Sequence, residues 1–197
     1  GMAPIYLDHN ATTPISTEVV AAMMPYLCEH FGNPSSAHVF GQRARAAIDE
    51  ARREVARLIG AEPEEIVFTS SGTESNNLAI TGVMSAVAAR RHVITSSVEH
   101  PATVEPCRAL ERSGVRVSWA PVDRDARVDA EGVLAMITAE TALVSIMHAN
   151  NEVGTLQPLA EIARAARARG ALVHTDAAQS VGKVAVDVRE LGVDLLS

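Results

Sequence analysis

The sequence of 197 residues contains few of the residue types on which several common functional classes depend. Aromatic residues make up 3% of the chain, lysine occurs once and cysteine twice. With so few aromatic residues, the core of a folded domain has to be aliphatic. Cys28 and Cys107 lie far apart and form no Cys-x-x-Cys pair, which argues against a disulfide framework or a zinc site. We expect each cysteine to be a small core residue.

Basic charge and long apolar runs are also scarce. The formal net charge is -7, and the arginines are spread over several segments, which disfavours nucleic acid and anionic membranes as main ligands. No apolar run approaches the length of a membrane span, and no secretory signal opens the chain, so we predict a cytoplasmic protein. The hydrophobic content of 47% fits one well-buried domain, or one domain and part of another.

Apolar runs alternate with amphipathic segments along the chain. The predicted strands are Ile66–Phe68, His92–Ser96, Val115–Trp119, Ala142–Met147, Ala171–Thr175 and a last one near Val193. The predicted helices are Thr17–His30, Gln42–Ile59, Pro101–Leu110, a segment capped by Asp129 that ends at Ile137, and Glu161–Arg169. This alternation predicts an α/β fold with a mostly parallel sheet and helices on both faces. We divide the chain into an N-terminal segment, 1–14, and a domain, 15–197.

Residues 66–80 combine an apolar run, a turn of small polar residues and the beginning of an amphipathic helix. The first amides of a helix have no internal partner and lie at the positive end of its dipole, so Gly72 and Thr73 are suited to bind a phosphate. For this segment alone, an ordinary helix N-cap is an equally good explanation.

Other polar turns follow other predicted strands. In parallel sheets, ligands bind outside the carboxyl ends of the strands, and this rule gathers the turns that hold Gly72 and Thr73, His100, Asn151, and 176–179. Pro101 suits the first position of a helix and keeps His100 in the turn before it.

Together these turns suit a phosphorylated heteroaromatic ring. Asp176, placed against a pyridine nitrogen, would hold that nitrogen protonated, so that the ring withdraws electrons from a carbanion on the attached substrate. His100 can stack on the ring, and Asn151 and Gln179 can hydrogen-bond its oxygen substituent.

Six segments, in order and with matching spacing, resemble the cysteine desulfurases of the NifS/IscS type. The segments are Tyr6–Pro14, Phe31–Ser36, Ile66–Asn77, Glu99–Ala102, Met147–Gly154 and His174–Lys183. Those enzymes belong to class V of the aminotransferases, within the fold-type I enzymes that use pyridoxal 5'-phosphate. The resemblance extends from about Ile5 to Ser197. Selenocysteine lyases share most of these motifs, so a selenocysteine lyase or another class V enzyme is the alternative.

The resemblance implies that 15–197 is the large cofactor-binding domain, incomplete and without its small C-terminal domain. It implies the roles proposed above, with His100 and Asp176 as catalytic residues. It also implies L-cysteine as substrate, L-alanine as product, sulfur transfer to an enzyme persulfide for iron–sulfur cluster or thio-cofactor assembly, a homodimer, and a sulfur-acceptor or scaffold protein as partner. In the family, the cofactor-binding lysine and the nucleophilic cysteine lie beyond the position of Ser197, so we expect this chain alone to be inactive.

Alternatives remain for the individual residues. Lys183 is the only lysine, yet it follows Asp176 so closely that it would have to fold back past the ring edge, and we expect it on the surface. Asp176 can be a helix N-cap, and His148 and His174 can be satisfied core histidines. A metal-dependent hydrolase would use these three residues and His100 as zinc ligands, but it leaves the turn at Gly72 unexplained, and we predict no metal.

Overall fold

The computed structural model describes residues 4–87 and 89–197, which fall into two compact units. One unit consists of 4–57 and 62–66, and the other of 58–61 and 67–197. Residues 1–3 of the predicted N-terminal segment lie outside the described residues, and 4–14 contain neither helix nor strand.

Apart from the predicted strand Ile66–Phe68, the predicted helices and strands are found in the predicted order. The helices are α1 Thr17–Cys28, α2 Val39–Ile59, a 3-10 helix Pro63–Glu65, α3 Gly72–Ala86, α4 Pro101–Arg112, α5 Ala130–Met136, α6 Leu159–Ala168 and α7 Val188–Leu191. The strands are β1 His92–Ser96, β2 Arg116–Ala120, β3 Thr141–Ser145, β4 Leu172–Thr175 and β5 Leu195–Leu196. None of the helices in this described part of the chain is long and apolar enough to cross a bilayer.

The smaller unit contains α1 and most of α2. The side chain of Ser16 caps α1 by accepting the Val19 amide, and none of the side chains of this apolar helix is buried. Cys28 at its end is exposed, so the prediction of a core position for this cysteine is wrong. Composition alone could not reveal this, because a small apolar residue is buried only where its helix packs against another element.

The sheet belongs to the larger unit. Its strand order is β2-β1-β3-β4-β5, and every neighbouring pair is parallel. All five strands therefore point their carboxyl ends toward one edge, which is the edge at which we predict the ligand site.

Alternating residues of the strands face two separate cores. Ile94, Val144 and Val173 pack with buried residues of α5 and α6, whereas Val93 and Leu143 pack with buried residues of α3 and α4. Helices thus cover both faces of a parallel sheet, as predicted. The fully buried Cys107 belongs to the second core, and burial raises the pKa of its thiol to about 12.

The predicted strand Ile66–Phe68 is absent, and this prediction was wrong. Residues 66–69 pair with no strand among the described residues, and the side chains of Val67 and Phe68 are 68% and 50% exposed. A strand exists only where a neighbouring strand accepts and donates its backbone hydrogen bonds, and sequence pattern does not show whether such a neighbour is present. The turn and the helix start after it are found where expected.

Candidate active site

The turn before α3 is closed by one acidic and two hydroxyl side chains. Ser71 caps the helix by accepting the Glu74 amide at 3.2 Å, and Glu74 Oε2 accepts both the amide and the hydroxyl of Ser70, at 2.6 and 2.5 Å. These bonds to Ser70 lower the pKa of the Glu74 carboxyl. The space beside Gly72 is open, since an added Cβ would meet no atom within 4 Å. The N-cap interpretation of this segment is therefore correct, while the first-turn amides keep their general affinity for anions.

His100 caps the next helix along the chain. Its backbone is extended (φ -65°, ψ 150°), and its Nδ1 accepts the Ala102 amide at 3.1 Å. Pro101 occupies the first helical position, as its fixed φ and missing N–H allow. Because Nδ1 accepts this hydrogen bond, His100 is held in one orientation, and the residue is exposed.

Asp176 follows β4 directly and is 8% exposed. Its Oδ2 accepts the side-chain amide of Asn76 at 2.8 Å, and its Oδ1 accepts the Ala178 amide at 3.0 Å. Its backbone oxygen accepts the His148 amide at 2.8 Å. Residues 178–180 form a turn, so Asp176 does not cap a regular helix. The carboxylate is instead fixed at the carboxyl edge of the sheet by two donors from different segments.

Asn151 and Gln179 are half-buried and lie on turns at the same edge. The loop of Asn151 is shaped by Asn150, whose Oδ1 accepts the amides of Glu152 and Val153 at 2.9 and 3.0 Å. Gln179 Oε1 accepts Lys183 Nζ at 2.7 Å. Lys183 is exposed, as predicted, but it contacts a predicted site residue.

A buried carboxylate connects two of these turns. Glu99, next to His100, accepts the Ser96 hydroxyl at 2.5 Å and the Met147 amide at 3.0 and 3.2 Å. Burial raises the pKa of Glu99 to about 7, against the lowering effect of these hydrogen bonds. The Asn150 side chain donates to Val98 O at 3.2 Å, so a second bond joins the same two turns.

The two histidines of the zinc hypothesis have other partners. His174 is fully buried between the hydroxyls of Ser145 and Ser197, at 2.8 and 3.0 Å, and burial lowers its pKa to about 4. His148 Nδ1 lies 2.9 Å from Ser180 Oγ, and burial lowers its pKa as well. Both are thus satisfied core histidines, one of the two interpretations kept open above. In residues 4–87 and 89–197, no group of three or more His, Cys, Asp or Glu is arranged to hold a metal ion.

Three hydrogen-bonded pairs join α3 and the ends of three strands. Asn76 with Asp176 joins α3 to the end of β4, and Glu99 with Met147 joins the ends of β1 and β3. His148 with Asp176 joins the ends of β3 and β4. Asn76 and Glu99 were not assigned a role from the sequence. Their partners lie 100 and 48 residues away along the chain, and only the fold reveals such pairs. One indication in the sequence that Asn76 and Glu99 matter is that both lie inside segments that resemble the family.

Comparison with known proteins identifies the family. Residues 5–197 match the family described as Aminotransferase class-V. The chain is 52% identical over 194 residues to "Cysteine desulfurase IscS" of Dictyoglomus turgidum and 48% identical over 196 residues to "Cysteine desulfurase, mitochondrial" of Drosophila melanogaster. These alignments cover 98% of this chain but 49% and 42% of those proteins, so the chain spans about half the length of the curated relatives it matches.

Solved structures agree with this assignment. A structure named "NIFS-LIKE PROTEIN" has a TM-score of 0.94 and 38% identity, covering 98% of this chain and 54% of that chain. A structure described as "SspA in complex with cysteine" has a TM-score of 0.94 and 40% identity, covering 98% and 56%. The chain belongs to the class-V aminotransferase family, whose members depend on pyridoxal 5'-phosphate.

The described residues fit that cofactor. The first turn of α3 offers amides to a phosphate, and the buried Asp176 carboxylate is oriented at the end of β4. Beside it, the amide oxygen of buried Asn76 has no hydrogen-bond partner within the described ranges. Buried polar atoms rarely stay unpaired, so this oxygen marks the part of the site where polar pairing is incomplete.

Proposed function

We propose that the protein, at its full natural length, is a pyridoxal phosphate-dependent cysteine desulfurase. It converts L-cysteine to L-alanine and passes the sulfur to an enzyme thiol as a persulfide. Support comes from the family, from the names of relatives at 46–52% identity, and from the cysteine that the SspA structure contains. The observation that carries the proposal is the Asp176 carboxylate, buried at a strand end and oriented by two amide donors.

Asp176 and His100 are the catalytic residues in this proposal. Bound pyridoxal phosphate withdraws electrons from the α-carbon of the attached amino acid, provided that its ring nitrogen is protonated. Asp176 accepts a hydrogen bond from that nitrogen and keeps the proton there. The imidazole of His100 stacks on the cofactor ring. Its Nδ1 accepts the cap bond, so its Nε2 is the atom that moves protons to and from the substrate.

Four residues orient the cofactor. Gly72 and Thr73 donate first-turn amides of α3 to its phosphate, where the helix dipole also favours negative charge. Asn151 and Gln179 bind the ring oxygen. A ring oxygen accepts hydrogen bonds, so each of these two side chains binds it through its amide nitrogen, which is a donor.

The remaining proposals concern the assembly. The protein is a homodimer, the commonest oligomeric form. Its sulfur serves iron–sulfur cluster or thio-cofactor assembly through an acceptor or scaffold protein. The cytoplasmic location remains a prediction from the sequence.

The test is turnover by the natural-length protein. Incubated with L-cysteine and dithiothreitol, it should release alanine and sulfide in equal amounts, and Asp176→Ala should lose several orders of magnitude because the protonated ring no longer stabilises the carbanion. L-Selenocysteine, supplied in parallel, separates a desulfurase from a selenocysteine lyase. The proposal would be contradicted if alanine formed from selenocysteine but not from cysteine. It would also be contradicted if Asp176→Ala turned over as fast as the wild-type protein.

A further inference from the structure

Asn76 links the beginning of α3 to the end of β4. It lies on α3 four residues after Gly72, the first helical residue, and it is 1% exposed. Its side-chain nitrogen donates to Asp176 Oδ2 at 2.8 Å. One side chain therefore spans the distance between the helix start and the carboxylate that follows β4.

The orientation of the Asn76 amide is determined by chemistry. An ionised carboxylate can only accept hydrogen bonds, so the nitrogen of the amide has to face Asp176. The amide oxygen then faces elsewhere, and within residues 4–87 and 89–197 nothing donates to it. An unpaired buried oxygen is destabilising, so the bond to Asp176 is maintained at the expense of stability.

We propose that Asn76 is a positioning residue that fixes the Asp176 carboxylate at a set distance and angle from the α3 N-terminus. It thereby sets the spacing between the phosphate contact and the ring-nitrogen contact of the cofactor. This inference rests on the proposed function and deepens it. Asn76 acts through Asp176 and needs no contact with the cofactor.

The bonding of Asp176 supports this role. Without Asn76, the Asp176 carboxylate keeps one hydrogen bond to the described residues, from the Ala178 amide to Oδ1. Ala178 belongs to the same turn as Asp176, so this bond does not fix the carboxylate relative to the rest of the fold. Among the described residues, the Asn76 bond is the one that ties the carboxylate to another element of the fold. Each carboxylate oxygen has two lone pairs, so Asp176 can still accept a hydrogen bond from a ring nitrogen.

The experiment compares two ligands of the natural-length apoprotein. One is pyridoxal 5'-phosphate, and the other is its 1-deaza analogue, in which CH replaces the ring nitrogen while the phosphate and the aldehyde remain. Asn76→Ala should weaken pyridoxal phosphate binding about tenfold, as expected when a hydrogen bond to a charged group is lost, and should leave the Kd of the analogue unchanged. Asn76→Leu, which keeps the branched shape of the side chain, gives the same comparison should the alanine variant fail to fold.

Asn77→Ala is the matched control. Asn77 lies on the same helix, but its side chain donates to Thr73 O at 2.9 Å, so its removal should affect both ligands by the same factor. Equal weakening of both ligands by Asn76→Ala and Asn76→Leu would overturn the positioning role and leave the proposed function intact. Failure of the wild-type apoprotein to bind either ligand would overturn the proposed function itself, and the inference with it.

Discussion

Glu99 and Met147 join the ends of two neighbouring strands through a buried carboxylate. The Met147 amide donates to both oxygens of Glu99, at 3.0 and 3.2 Å, while Glu99 is 8% exposed. Burial raises its pKa to about 7, and the nearby Asp176 carboxylate contributes in the same direction. The turn that presents His100 is therefore anchored by a group that titrates near neutral pH.

We predict that this group makes stability fall as pH rises toward 7. The folded pKa of about 7 exceeds the ordinary value of 4.5, so between these values the folded state binds more protons than the unfolded state. The stabilisation, about 3 kcal/mol at most, is fully present below pH 4.5 and is lost as pH rises through 7. Denaturant unfolding of wild-type and Glu99→Gln apoprotein at pH 5 to 8 measures it.

In that comparison, wild type should lose stability relative to Glu99→Gln across this pH range. Glu161→Gln, which makes the same replacement at an exposed carboxylate of α6, is the control for the change in charge. A constant difference between wild type and Glu99→Gln from pH 5 to 8 would show that Glu99 does not titrate as described.

His174 should produce the opposite dependence at lower pH. Its folded pKa of about 4 lies below the ordinary 6.5, so the unfolded state binds more protons between these values. The stabilisation is present above pH 6.5 and is lost as pH falls through 4. His92, bound to Thr141 and Ser118 hydroxyls and with its pKa also lowered to about 4, acts in the same direction.

His174→Leu removes both hydrogen bonds to serine, so we expect it to cost about 2–4 kcal/mol at pH 7. Its unfolding free energy should also depend less steeply on pH between 4 and 6.5 than that of wild type. The same slope in both proteins, measured by denaturant unfolding, would contradict a neutral buried His174.

Most of the fold was predictable because the signals were local. The strand His92–Ser96 was predicted to the residue, and Gly60 and Gly170, which directly follow two of the predicted helices, adopt positive φ of 73°. The prediction of a strand at Ile66 was wrong because a strand forms only beside a partner strand that is distant in the sequence. The four-residue helix α7 was missed because it is too short for a periodic pattern.

The candidate site was predictable in part, for a related reason. Parallel strands bring their carboxyl ends to one edge, so turns that hold His100 and Asp176 could be grouped from the sequence. The side-chain pairs across this edge could not be predicted, because Asn76 and Glu99 are residue types usually found on the surface and their burial depends on tertiary packing.

Lys183 should not carry the cofactor. Its exposed ammonium donates to Gln179, which is consistent with a surface residue that supports a neighbour. Borohydride makes the bond between pyridoxal phosphate and its lysine permanent, and peptide mass spectrometry then locates it. In the natural-length protein, Lys183→Met should be labelled as fully as wild type. Loss of the label in this variant would reassign the attachment to Lys183.

The natural-length protein should be a homodimer. Light scattering at micromolar concentration should give twice the mass of its chain, with and without added pyridoxal phosphate. A monomeric mass under both conditions would rule out the dimer.

The central claim is that Asp176 holds a proton on the ring nitrogen of the cofactor, and nitrogen NMR tests it most directly. Natural-length apoprotein is reconstituted with pyridoxal phosphate that carries ¹⁵N in the ring. At pH 8, the wild-type protein should show the chemical shift of a protonated ring nitrogen, because the buried carboxylate is oriented to accept its hydrogen bond. Asp176→Ala should show the shift of an unprotonated nitrogen. An unprotonated nitrogen in wild type, or a protonated one in the variant, would contradict the account.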